Sequence, residues 1–268
     1  GQLGGHAAQM YKTFPLKPPY DRAQDIHLQE RIDAVNQHNK ITVYTNSTLD
    51  SLDGQPGDYT ATIKAGSEQK EESVGSIVVA TGWEEQDTSY LEPMGYGKYK
   101  NVITTWQLEK MAQQGEIVRP SDGAKPQSVA FVLGFSHVME DFARQEEEER
   151  ARKEEERRRQ QEEEEEPAIE EPFEKTESYR HLPYTTELTT MTALKQARYI
   201  REANPNATSY IFYEHMTASG LNEYYYKAAQ DDPGIMLTKG VVNSLEQGSQ
   251  DTLLLGVDEN LIGEPMEI

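Results

Sequence analysis

The chain has 268 residues, a formal net charge of −21 and 35% hydrophobic residues, room for one large domain or two small ones. It holds no cysteine, which excludes disulfides, thiolate catalysis and cysteine-ligated metal clusters. No basic stripe is present to displace counterions from nucleic acid, and no apolar run approaches the roughly 18 residues of a membrane span.

Much of the charge sits in one segment, Glu140 to Glu177, with 18 acidic and 8 basic residues; the remainder is mildly acidic and ordinary. No secretory signal opens the chain, and the expected location is cytoplasmic.

The first residues, Gly1-Gln2-Leu3-Gly4-Gly5-His6, are glycine-rich. Glycines permit positive φ and close backbone approach, as in a ligand-lining loop, although a disordered terminus accounts for them equally well. Prolines at 15, 18 and 19 punctuate a loop. Ile26, Ile32 and Val35 then predict an amphipathic helix from Asp21 to Asn39, with Asp21 as its cap.

Ile41–Thr45 is expected as a strand by β-propensity. Leu49–Leu52, Tyr59–Lys64 and Ser73–Ala80 follow as strands of a meander, joined by turns such as Gly54-Gln55-Pro56-Gly57-Asp58. Within Ser76–Trp83, the run Ile77-Val78-Val79 predicts a buried strand ending in the turn Ala80-Thr81-Gly82. Ligands of open α/β sheets sit outside the carboxyl ends of such strands, although a plain core strand and loop fits the same residues.

Thr105–Gln114 predicts a short helix, Arg119–Pro126 a linker and Ser128–Gly134 a second buried strand. The charge run Arg144–Glu166 has almost no apolar residues and supplies no packed face; it reads as a solvated helix or a disordered insertion. Order is expected to resume at His181-Leu182-Pro183-Tyr184. Glu187–Asn204 and Asn222–Gln230 are predicted helices. Ser209–Tyr213, Ile235–Leu237, Val241–Leu245 and Thr252–Leu255 are predicted strands, in a β-α-β-α-β order that suits a doubly wound unit. The expected division is 1–120, a linker and first strand over 121–137, an acidic insertion over 138–178, and a second α/β unit over 179–268.

The familiar local signatures are missing: no G-x-G-x-x-G, no phosphate-binding loop with its lysine, no G-x-S-x-G and no H-E-x-x-H. The six histidines are scattered, and no pair of carboxylates stands out from the acidic background. Residue types alone assemble no active site.

The order of motifs carries more. Gly1 to Gly5, Lys12-Thr13-Phe14-Pro15, Ile77 to Trp83, Gly95 to Val102, Arg119 to Pro126, His181 to Tyr184, Ala193 to Ala197 and Asp231 to Gly240 follow one another as in a known family. The chain resembles the flavoprotein family that contains the A subunit of heterodisulfide reductase, together with the A and B subunits of the quinone-interacting membrane-bound oxidoreductase complex. The resemblance implies an α/β fold of thioredoxin-reductase-like, Rossmann-type FAD/NAD(P)-binding units with a β-meander, incomplete at both ends. It implies FAD as cofactor, lying against Gly1, Gln2, Leu3, Gly4 and Gly5 and against Ala80, Thr81 and Gly82. Thr48 would lie toward the adenine end, and Lys12 and Phe14 toward the isoalloxazine. The expected partners are sister redox subunits of a multi-protein complex. The acidic insertion suits docking to a basic protein partner.

The resemblance also implies an iron-sulfur cluster on a Cys…Cys-x3-Cys-Cys pattern, whose positions here match Gly134, Thr185, Thr189 and Thr190. Hydroxyls do not replace soft thiolates on iron-sulfur, so no cluster is expected. An arginine of the family pattern is matched by Thr217. Two functions fit: an FAD-dependent electron-transfer subunit, or a non-catalytic scaffold or docking subunit that kept the fold. Direct dithiol chemistry is ruled out without cysteine. Whether NAD(P) binds the second unit is left open.

Overall fold

The computed structural model describes residues 2–85, 87–133, 152, 185–259 and 265–267. They form two compact units. The first comprises Gly1–Thr13, Ala23–Asp87 and Glu109–Glu116; the second comprises Phe14–Arg22, Thr88–Leu108 and Ile117–Ile268. The acidic run Arg144–Glu166 and His181–Tyr184 lie outside the described residues, Arg152 excepted.

The first unit opens on a 3-10 turn, Gly5–Gln9, and continues to helix α1, Leu28–Gln37. The helix is shorter than its periodicity predicts, and Asp21 is not its cap. Two local constraints delay its start. Gln24 exchanges both backbone hydrogen bonds with Thr13, at 2.9 and 3.0 Å, which keeps the chain extended there. His27 is left-handed, with φ +50°, and its amide donates to Asp25 Oδ1 at 2.6 Å. A left-handed residue cannot continue a right-handed helix.

Strands β1 (Thr48–Gln55), β2 (Asp58–Ala65) and β3 (Glu68–Val74) form the antiparallel meander. The β1–β2 turn places Pro56 before Gly57 at φ +97°, the residue pair a type II turn favours. Gly54 is needed for space: a Cβ there would lie 2.2 Å from the Asp58 carbonyl oxygen. The sheet is thin. Only Ala61 and Thr62 of its residues are buried, and Leu49 and Leu52 face solvent.

Three expectations fail in this unit. The third meander strand ends at Val74, close to where the sequence predicts its start. Ile41–Thr45 is not a strand, and neither is Ser76–Trp83. The run Ile77-Val78-Val79 is exposed rather than buried, Val78 at 88% and Val79 at 79%. The cause is common to both segments. A strand needs a hydrogen-bonded neighbour, and among the described residues none pairs with either.

The second unit is built on a five-stranded sheet in the order β4 (Ser128–Val132), β5 (Thr208–Tyr213), β6 (Ile235–Gln247), β7 (Leu253–Glu259) and β8 (Pro265–Glu267). The pairs β4–β5 and β5–β6 are parallel; β6–β7 and β7–β8 are antiparallel. Sequence patterning predicts two strands within 235–245, but the chain runs unbroken through Gly240. Ile235–Lys239 pair with β5 on one edge, and Gly240–Gln247 pair with β7 on the other.

Thr105–Gln114 is helix α2, as predicted, and its start is a reciprocal capping box. Thr104 Oγ1 accepts from the Gln107 amide at 3.2 Å, and Gln107 Oε1 accepts from the Thr104 amide at 2.8 Å. The crossovers of the parallel strands are also helices. Thr185–Ala203 is α3, between β4 and β5, and Asn222–Gln230 is α4, between β5 and β6. Met191, Ala193, Leu194, Ala197 and Ile200 of α3 are all at most 1% exposed. Ser209 Oγ donates to the Ala197 carbonyl, so the Ser209 and Ile211 face of β5 lies under α3. Phe212 points to the other face, into a core with Val242, Leu255 and Val257.

The Asp232-Pro233-Gly234 turn is fixed by one carboxylate. Asp232 Oδ1 accepts from the Gly234 amide and from Arg201 Nε, both at 2.9 Å. Arg201 also donates to the Ala207 and Pro205 carbonyls.

These contacts set the cost of two substitutions. Thr104→Ala removes the box at α2 and is expected to cost about 1 kcal/mol in urea unfolding. A Cβ on Gly234 would lie 2.2 Å from the Arg201 guanidinium carbon. Gly234→Ala should therefore displace the guanidinium and lose about 1.5–3 kcal/mol, the usual worth of hydrogen bonds to a charged group. Arg201→Met should remove most of the extra effect of Gly234→Ala in a double-mutant cycle.

Candidate functional site

In the first unit the glycine-rich opening and the Ala80-Thr81-Gly82 turn come together across 77 residues of sequence. His6 Nε2 lies 2.7 Å from the Trp83 carbonyl oxygen. The two rings stack, with centroids 4.1 Å apart and planes 9° from parallel. Gly82 lies over the same imidazole: a Cβ at this position would be 3.6 Å from His6 Cδ2.

The glycines have separate duties. Gly4, at φ +110°, precedes the 3-10 turn and packs closely; a Cβ there would press on Ala8 and Leu28 at 3.1 Å. Gly5 and Gly82 also have positive φ, but a Cβ on Gly5 would meet nothing within 4 Å. The backbone at Gly5 is thus bare, and Ala80, Thr81 and Gly82 are exposed. Gln2 is exposed and Leu3 half-buried, while Gly1 lies outside the described residues. The 3-10 turn is tied down by Gln113, which donates to the Ala8 carbonyl at 2.8 Å, and by Glu109, whose buried carboxylate accepts from the Tyr11 amide at 2.9 Å.

The other sequence-predicted residues are scattered. Lys12 Nζ lies 4.9 Å from the Tyr11 ring centroid. Thr48 opens β1 opposite Lys64 and is exposed. Phe14 belongs to the second unit, where the buried Lys195 ammonium sits 5.2 Å from its ring and 5.7 Å from that of Tyr199. Such cation–aromatic contacts stabilise an ammonium that has lost much of its water.

Sequence reasoning missed His6 and Trp83 as a pair. Neither spacing nor residue type announces a contact between a scattered histidine and a tryptophan so distant in the chain. It also missed Glu187, in the first turn of α3. Glu187 Oε1 accepts three hydrogen bonds: Ser219 Oγ at 2.6 Å, Asn222 Nδ2 at 3.0 Å and the Ser219 amide at 3.1 Å. These donors, the Ser219 hydroxyl first, hold its carboxyl below the usual glutamate range.

The threonines that the resemblance matches to the cluster pattern are engaged with their own helix and its loop. Thr189 Oγ1 donates to the Thr185 and Thr186 carbonyls at 2.9 and 3.1 Å. Thr190 is fully buried, and its Oγ1 accepts from the Thr217 amide at 3.3 Å. Gly134 lies outside the described residues. Among the described residues no group of three or more histidine, cysteine, aspartate or glutamate side chains could hold a metal ion. None of their helices is long and apolar enough to cross a membrane.

No protein-family model matches the chain. Among curated proteins, the first iron-sulfur A subunit of the CoB--CoM heterodisulfide reductase of Methanopyrus kandleri is 34% identical over 202 residues, 73% of this chain and 25% of that protein. The A subunit of the H(2)/formate:CoB-CoM heterodisulfide,ferredoxin reductase of Methanococcus maripaludis is 31% identical, with the same coverage. The A subunit of the ferredoxin:CoB-CoM heterodisulfide reductase of Methanosarcina mazei is 40% identical over 74 residues, 24% of this chain and 9% of that protein. The match spans about a quarter of the length of the first two relatives. Over nearly three quarters of its own residues, the chain is a distant homologue of the heterodisulfide reductase A subunit.

Proposed function

We propose that the chain is the FAD-binding part of an electron-transfer subunit, passing electrons between redox partner proteins in sulfur or energy metabolism without an iron-sulfur cluster of its own. The observation that carries this reading is the meeting of the glycine-rich loop with the Ala80–Gly82 turn, in a chain homologous to the heterodisulfide reductase A subunit.

The residues present fit the flank of a flavin nucleotide. Bare backbone at Gly5 and exposed backbone at Gly82 allow a large, partly anionic ligand to approach closely. Gln2 to Gly5 and Ala80 to Gly82 would hold it, with Gly1 at the loop's start. The His6–Trp83 stack would fix the distance between the two turns. Thr48 toward the adenine end and Lys12 toward the isoalloxazine are carried by resemblance; Phe14 belongs to the second unit and is not part of this proposal. When bound, FAD supplies one- and two-electron chemistry; the protein supplies position and the local field. A Rossmann-type fold and sister redox subunits as partners are part of the same proposal.

The iron-sulfur cluster that a relative's name implies does not fit these residues. The chain has no thiolate, and Thr185, Thr189 and Thr190 offer only neutral, hard oxygens.

A second reading, a scaffold or docking subunit that kept the fold, draws on one observation. Val78 and Val79 face solvent immediately before the glycine turn. An apolar run of this kind suits a surface that another protein covers.

The two readings part on FAD titration followed by flavin fluorescence. The electron-transfer reading predicts saturable binding. His6→Ala and Trp83→Ala should each weaken it roughly tenfold, and Gly82→Val should abolish it, since a β-branched residue opposes the positive φ. Wild-type protein that is folded by circular dichroism yet takes up no FAD would reject the flavin reading and leave the scaffold.

A further inference from the structure

The meander has an apolar face that is covered at one side and open at the other. In its register Leu49 lies opposite Ile63, Leu52 opposite Ala61, and Tyr59 opposite Val74. Directly paired residues share a face, and so do residues two apart on a strand. Leu49, Leu52, Tyr59, Ala61, Ile63 and Val74 therefore lie on one face of the sheet. On a regular strand, two leucines three residues apart would point to opposite faces. The register shift between Leu49 and Ser51 adds one residue, Asp50, and brings both leucines to the same face.

Lys70 and Glu72 of β3 pair with Ile63 and Ala61, so their side chains lie on this face too. Tyr44 holds to them there. Its hydroxyl donates to Glu72 Oε1 and accepts from Lys70 Nζ, and Lys70 Nζ lies 2.9 Å from the Glu72 carboxylate. At β1 every residue is exposed, Leu49 at 54% and Leu52 at 42%.

A sheet buries its apolar face against a second layer. Charge selects the layer in this case. The three strands and their turns hold six acidic residues and two basic ones, and one of the two, Lys70, is paired with Glu72. Asp50 and Asp53 stand beside the two leucines on β1 itself. A second copy would bring the same acidic strands together, and an anionic lipid surface would be repelled in the same way.

We propose that the β1 side of this face is a docking surface for a basic amphipathic helix of a partner protein. The helix lays an apolar stripe at i, i+3 and i+4 over Leu49, Leu52 and Ile63, and its lysines or arginines meet Asp50 and Asp53. Neither the acidic segment at 140–177 nor bound flavin is needed for this contact.

The test is fluorescence anisotropy of a labelled amphipathic leucine–lysine peptide of about 14 residues, roughly four helical turns, titrated with the full chain at about 0.15 M salt. A scrambled peptide of the same composition keeps the charge and loses the stripe. The amphipathic peptide should bind roughly tenfold or more tightly than the scrambled one. Leu49→Ser/Leu52→Ser should remove that preference and leave the circular dichroism spectrum unchanged, since both side chains are exposed. Asp50→Asn/Asp53→Asn should weaken binding of the amphipathic peptide and flatten its salt dependence. Equal affinity for the two peptides would overturn the proposal, as would a preference that survives in Leu49→Ser/Leu52→Ser. Dimerisation of the wild type in sedimentation, or its binding to phosphatidylserine vesicles, would also overturn it if the same leucine variant abolished either one.

Discussion

The parallel pairing of Thr208–Tyr213 with Ser128–Val132 on one edge and Ile235–Lys239 on the other is the constraint on which the second unit depends. Parallel strands cannot be joined by a hairpin, so each pair demands a crossover, and a crossover buried on a sheet demands a helix with a broad apolar face. Thr185–Ala203 meets that demand with Met191, Leu194, Ala197 and Ile200 on successive turns. The same geometry brings the start of α3 and the start of α4 to one edge, where a single carboxylate ties them together.

Residues whose structure is decided locally were legible in the sequence. Asn222–Gln230 and Thr105–Gln114 have the expected bounds, and the Asp232-Pro233-Gly234 turn is where its residue types put it. The strands around Gly57 follow from Pro-Gly turn chemistry. Segments whose structure is decided by a partner were not legible. Ile77-Val78-Val79 has the composition of a buried strand, but pairing is a property of two segments, and here the second is missing among the described residues. Sequence patterning puts separate strands on either side of Gly240. In the sheet it is buried at the point where one strand changes its neighbour from β5 to β7.

The candidate site divides in the same way. Positive φ at Gly4, Gly5 and Gly82 could be anticipated from glycine alone. The imidazole of His6 stacked on Trp83 could not, because nothing local links residues 77 apart. The cluster positions were legible as a loss, since composition excludes thiolates. What the side chains do instead was not: Thr189 turns back to its own helix and Thr190 takes a loop amide. The region is held by hydroxyl and carboxylate hydrogen bonds. Distant homology to the heterodisulfide reductase A subunit is thus combined with a chain that holds no cysteine.

The most direct measurement is the visible spectrum of the chain as purified, recorded through an anaerobic reductive titration with parallel iron analysis. A flavoprotein without a cluster predicts the bands of oxidised flavin, bleached on reduction, and no protein-bound iron. A colourless protein that acquires no flavin bands when FAD is supplied would contradict the account, as would iron-sulfur absorbance with matching iron.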